Sequence, residues 1–112
     1  MRDTLFLLEP DFTDGTGRFF CPGSALVEGM LSFYPELREH VEVRYLPFAR
    51  PRQEVLERIG EDNQGCPVLV LHADSPLPEG IGHGVAGTTR FINDERAICE
   101  YLAARFGTGR PH

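Results

Sequence analysis

Residues 17–35 read GRFFCPGSALVEGMLSFYP, and the fold hangs on how the cysteine inside that stretch is placed. Beyond it, Ala25, Leu26, Gly29, Met30 and Phe33 recur at steps of three and four, the spacing of one apolar helix face. Proline suits a first helical turn, because the N–H it lacks would have no intrahelical partner there. The stretch thus predicts a helix from Pro22 to about Tyr34, ended by Pro35, with Cys21 at its N-terminal mouth.

Unpaired N–H groups and the positive end of the dipole at a helix start favour a thiolate, the species that attacks disulfides. The alternative is a small hydrophobe that follows Phe19 and Phe20, with Pro22 and Ser24 merely opening a helix. The neighbouring segments bear on that choice, since a redox cysteine needs a particular scaffold around it.

Upstream, TLFLLE at 4–9 is short, apolar and bounded by Asp3 and Pro10, as a strand covered on both faces reads. The intervening PDFTDGTGRFF (10–20) is rich in turn formers and is expected to be loop. Downstream, VEVRYLPF (41–48) alternates apolar and polar side chains with the period of a strand. PRQEVLERIGEDNQG (51–65) spaces Val55, Leu56 and Ile59 for a buried helical stripe, with Pro51 in its first turn and Gly60 able to end it. PVLVL (67–71) and TTRFI (88–92) read as two further strands. HADSPLPEGIGHGVAG (72–87), between them, has the composition of a long mobile loop. Finally NDERAICEYLAARFG (93–107) offers Asn93 and Asp94 as caps, keeps Ala97, Ile98, Leu102 and Phe106 near one face, and stops at Gly107. The last residues, TGRPH (108–112), read as a frayed tail.

The order is β-α-β-α-β-β-α in one domain, residues 1–112. A βαβ unit followed by ββα predicts an α/β fold with a four-stranded mixed sheet covered by helices. That order, with CPGS (21–24) at the start of the first helix and CPVLV (66–70) opening the third strand, resembles the thioredoxin-like superfamily. Within it, glutaredoxins and the N-terminal domain of glutathione S-transferases are the nearest in pattern. RFINDERAICEYLAARFG (90–107) is similar to the last strand and helix of that transferase domain. The chain also resembles a small uncharacterised bacterial thioredoxin-like family. The likeness covers nearly the whole chain and implies a thioredoxin-like fold.

The resemblance implies roles residue by residue. Cys21 matches the nucleophilic first cysteine of C-x-x-C, and Ser24 stands where the second, resolving cysteine would be. Pro67 matches the proline that is cis in this superfamily and faces the active-site thiol, and Asp94 matches an acid that helps hold the γ-glutamyl end of glutathione. Two positions depart from the pattern. Gly23 replaces an aromatic residue often found inside the motif, and Glu95 stands where the transferases usually carry serine, adding a second carboxylate beside Asp94.

Ser24 can hydrogen-bond a thiolate but cannot form an intramotif disulfide, which leaves a monothiol cycle through a mixed disulfide. Cys66, with the cis bond before Pro67 that the resemblance implies, would expose its backbone to an extended peptide or to glutathione. Its thiol could also substitute as the resolving group if the two cysteines lie within disulfide reach; otherwise it is a buried small side chain. Arg50 and Arg52, in ARPRQ (49–53), are candidates for holding a charged thiol ligand, beside the plainer reading of a solvated helix start. Cys99 reads as core packing.

A formal net charge of −6 with no basic run argues against nucleic acid or an anionic membrane as partner. No apolar run approaches the roughly 18 residues of a spanning helix. The first residues lack the basic start and apolar core of a secretory signal, so a reducing cytoplasm with free thiols is the expectation. His40, His72, His83 and His112 show no ligand spacing with the cysteines, so no metal is expected. The function expected is thiol-disulfide exchange or a glutathione-linked redox activity, with glutathione or a protein thiol or disulfide as partner. The rival is a non-catalytic binding module on the same scaffold.

Overall fold

The first strand, β1 (Asp3–Leu8), is buried along its whole length, as its unbroken apolar run requires of a strand covered on both faces. After it come a short hairpin of β2 (Phe12–Thr13) and β3 (Arg18–Phe19), helix α1 (Pro22–Phe33) and a 3-10 turn over Pro35–Glu39. β4 (Val41–Leu46), α2 (Gln53–Ile59), β5 (Val68–Val70), the hairpin of β6 (Gly84–Ala86) and β7 (Thr89–Ile92), and α3 (Glu95–Phe106) complete the chain. These elements belong to a computed structural model, which describes residues 2–112.

The sheet runs β4-β1-β5-β7-β6, with β1 and β4 parallel and every other pair antiparallel. Alternation along β1 sends its side chains to two cores. Leu5 and Leu7 join Val27 and Leu31 of α1 and Ile98 and Leu102 of α3. Phe6 and Leu8 join Val55 and Ile59 of α2 on the opposite face. The molecule is therefore an α/β fold, a mixed sheet with α1 and α3 on one side and α2 on the other.

The sheet has five strands, not the four expected. The additional one, β6, lies inside the segment that composition assigns to loop. Gly87, at φ +62°, helps turn the chain back, and the Phe91 ring occupies the space beside Gly84, where a Cβ would come within 2.5 Å of it. The glycines that suggest a loop are here the residues a tight edge hairpin needs. The other expected loop, 10–20, likewise contains the β2–β3 pair, held down by Phe12 stacking on Phe48 with ring centroids 4.3 Å apart. α2 begins at Gln53 rather than at Pro51, which follows a cis bond from Arg50. The tail is not frayed: Arg96 donates to the carbonyls of Pro111 and His112, and Gly109 lies against the Tyr34 hydroxyl.

One polar cluster sits at the start of β1. The wholly buried carboxylate of Asp3 accepts from the His72 N–H at 2.7 Å, from the Ser75 hydroxyl, from the Tyr101 hydroxyl at 2.6 Å and from Arg105 at 3.0 Å. It ties the N-terminal strand to the last helix and to the chain leaving β5. Burial, then the bond to Asp3, pushes the Tyr101 hydroxyl from 10.0 up to about 12, and burial pushes the Cys99 thiol from 9.0 up to about 11. Both groups keep their protons in the fold where the unfolded chain loses them. Stability should accordingly be complete below about pH 9 and fall from there to about pH 12. The urea midpoint at about pH 10.5 is expected to lie below that at about pH 8; equal midpoints would contradict the burial of these two groups.

Candidate functional site

Cys21 is the N-cap of α1, in extended backbone at φ −80° and ψ 117°. Its sulfur accepts the Ser24 N–H at 3.4 Å, a task usually given to a serine or aspartate oxygen. Its thiol donates to the backbone carbonyl of Cys66 at 3.7 Å. Ser24 serves the sulfur through its backbone alone. Its own buried hydroxyl accepts the Leu8 N–H at 3.0 Å, tying the first turn of α1 to the end of β1.

The Cys66–Pro67 bond is cis, and Pro67 is buried beneath the first turn of α1. A Cβ on Gly23 would fall 2.9 Å from Pro67 Cδ and 3.2 Å from the Glu95 carboxyl group. That contact explains why a side chain cannot stand in the middle of this motif. It also places Glu95 beside the sulfur-bearing turn, a position that its place in the sequence does not reveal. Asp94 is exposed, and its carboxylate caps α3 by accepting the Ala97 N–H at 2.9 Å.

Arg52 is not part of a solvated helix start. It is only 6% exposed; its guanidinium donates to the carbonyls of Phe48 at 2.6 Å and Gln64 at 2.7 Å, while the Gln64 side chain accepts the Arg52 N–H at 2.7 Å. The guanidinium also lies 5.7 Å from the centre of the Phe48 ring, and its Nε has no partner. Burial pushes the Cys66 thiol up, and the positive charge of Arg52 opposes that shift. Burial likewise lowers Arg52, and negative charge on Cys66 and Cys21 would raise it again. Arg50 is exposed and adds its field at the rim.

A family model described as a protein of unknown function (DUF3088) matches residues 2–110. The chain belongs to that family. No curated protein and no solved structure matches it. What a DUF3088 chain does must therefore be read from its own site.

Of the residues singled out in the sequence, Cys21, Ser24, Cys66, Pro67 and Arg52 come together, whereas Asp94 and Arg50 stand exposed at the margin. Cys21 and Cys66 pack against one and the same core, that of Phe6, Leu8 and Val68. Cys99 belongs to the core on the other side of the sheet. A groove of about 460 Å³ runs from Cys21 along α1, walled by Leu7, Leu8, Pro10, Phe20 and Ala25 and reaching Glu28 and Tyr45. There the Tyr45 hydroxyl donates to Glu28 at 2.6 Å, and Arg38 donates to both, at 2.9 and 3.1 Å. Burial, then the bond to Glu28, pushes the Tyr45 hydroxyl up. Among the described residues, no helix is long and apolar enough to cross a membrane, and no three His, Cys, Asp or Glu side chains are grouped to hold a metal ion.

Proposed function

We propose that this chain is a thioredoxin-like protein that exchanges thiols and disulfides through Cys21, in a reducing compartment where the sulfur is kept free. The observation that carries the reading is the Cys21 sulfur at the mouth of α1, receiving the Ser24 N–H and touching the Cys66 carbonyl. The thiolate is the nucleophile in such an exchange, and this half-buried sulfur stands at the edge of a groove where a disulfide can reach it. The four strands that the resemblance calls for correspond to β1, β4, β5 and β7, with β6 added at the edge, and the cis bond stands at the position the resemblance implies. With Ser24 in the second motif position, the first product is a mixed disulfide on Cys21. The apolar groove beside α1 can take the rest of the substrate. The Glu95 carboxylate beside Gly23 opposes a glutathione γ-glutamyl carboxylate, so a neutral disulfide is the better first probe than glutathione disulfide.

The test is peptide mapping after brief treatment with bis(2-hydroxyethyl) disulfide. Cys21 is expected to react first, whether the adduct persists or is resolved within the chain, and Cys99 not at all while the protein is folded. A Cys21 that stays a free thiol while the disulfide modifies other positions sinks the proposal.

A further inference from the structure

Exchange through Cys21 leaves a mixed disulfide that some second thiol must resolve, and the identity of that thiol is inferred on the strength of the exchange reading. We infer that Cys66 resolves the mixed disulfide on Cys21 by forming a Cys21–Cys66 disulfide, and that Arg52 stabilises the anion that Cys66 must become in order to attack. The motif itself supplies no second thiol, and Ser24 has its hydroxyl engaged with Leu8. Cys99 lies behind the sheet in the opposite core. Cys66 is the one remaining cysteine, and it shares the apolar wall of Cys21.

The two cysteines are close neighbours. The Cys21 sulfur is 3.7 Å from the Cys66 carbonyl oxygen, and an oxygen sits about 2.4 Å from its own Cα, so the sulfur lies within about 6 Å of the Cys66 Cα. Closing the bond asks for rotation of two partly buried side chains.

Arg52 supplies the second, independent observation. A buried guanidinium normally lies against a carboxylate, because a cation withdrawn from water needs an anion nearby. Here the two terminal nitrogens donate to neutral carbonyls and the Nε is left without a partner. The Gln64 carbonyl that holds Arg52 is two residues from Cys66, so a sulfur anion at Cys66 falls in the field of this unbalanced charge. Both ionised thiols favour the Arg52 cation, Cys66 more than Cys21.

The chemistry runs in two balanced exchanges. The Cys21 thiolate attacks a substrate disulfide, forming one S–S bond as another breaks and releasing one substrate thiolate. The Cys66 thiolate then attacks the Cys21 sulfur, and the second substrate thiolate leaves and takes a proton from solvent. Two protein thiols have lost two electrons and two protons, and the substrate disulfide has become two thiols. A dithiol reductant resets the pair by the reverse exchange.

The experiment treats the full chain with one equivalent of bis(2-hydroxyethyl) disulfide and tracks products by mass and peptide mapping. Wild type is expected to end two hydrogens lighter, with Cys21 linked to Cys66, whereas Cys66→Ser stops as the Cys21 mixed disulfide. Arg52→Gln, if folded by circular dichroism, should slow the second step at least tenfold and the first step much less. Wild type that keeps the mixed disulfide on Cys21 overturns the inference but leaves the exchange reading standing. No adduct at Cys21 in either protein overturns both. The wild-type map decides the matter even if a variant fails to fold.

Discussion

Cys21→Ser is expected to lower the rate of disulfide exchange by at least about 100-fold, since a hydroxyl at that position cannot ionise near neutral pH and leaves no sulfur to form the mixed disulfide. The same substitution should leave the fold intact or slightly firmer. Cys21 is the N-cap of α1, its sulfur accepting the Ser24 N–H over a long 3.4 Å, and serine is among the preferred N-cap residues. A serine oxygen is a better acceptor for that N–H than a thiol sulfur. The two consequences pull apart, which makes the variant informative: turnover of bis(2-hydroxyethyl) disulfide with a reductant measures one, and a urea melt the other. If cysteine is present only as a small capping residue, as a binding module on this scaffold would have it, serine should be harmless in both assays. Equal exchange by the wild type and the variant would show that the chemistry, if any, belongs elsewhere.

Why the fold was largely legible, and the site only partly, comes down to the kinds of signal involved. The strand at β1 declared itself because an apolar run with no polar alternation has to be covered on both faces, and α1 on one side with α2 on the other do so. The helices at 22–33 and 95–106 were marked by periodicity and by caps, with Asp94 and Gly107 doing what those residue types do at helix ends. The edge strand β6 was hidden because composition cannot separate a glycine that loosens a loop from one that admits an aromatic ring, and Gly84 under Phe91 is the second kind. At the site, the position of Cys21 was set by local pattern, since a helix start is a local feature. Arg52 could not be read that way. Its burial depends on Gln64, Phe48 and the hairpin carrying Phe12, segments whose meeting no nearby spacing encodes. For Glu95 the sequence shows a second acid beside Asp94, and only its closeness to Gly23 in the fold reveals that it lies against the first turn of α1.

The largest effect on stability is expected from Asp3→Ala, a loss of about 3–5 kcal/mol, the range for removing one partner of a buried ion pair. The carboxylate has no exposure, and four donors converge on it from two separate segments, the chain leaving β5 and α3. Alanine would leave the Tyr101 hydroxyl, the Ser75 hydroxyl and the His72 N–H to find new acceptors in a closed space, each unmet bond costing about 1–3 kcal/mol if no water enters. Arg105 is partly exposed and can turn toward solvent, which keeps the total from being the sum of these costs. Asparagine at the same position preserves an oxygen for the His72 N–H and Ser75 but turns an NH₂ donor toward Tyr101 and Arg105, so its loss should be intermediate. Urea melts of both variants check the ranking, and an alanine protein within about 1 kcal/mol of wild type would show that the cluster does not hold the strand to α3. Asp3 and Leu8 mark opposite ends of β1, roughly 17 Å apart at the rise of a strand. Only Leu8, through the Ser24 hydroxyl, reaches the first turn of α1. The exchange rate of folded Asp3→Ala molecules should consequently match the wild type, because the strand is anchored at one end and holds the sulfur in place at the other.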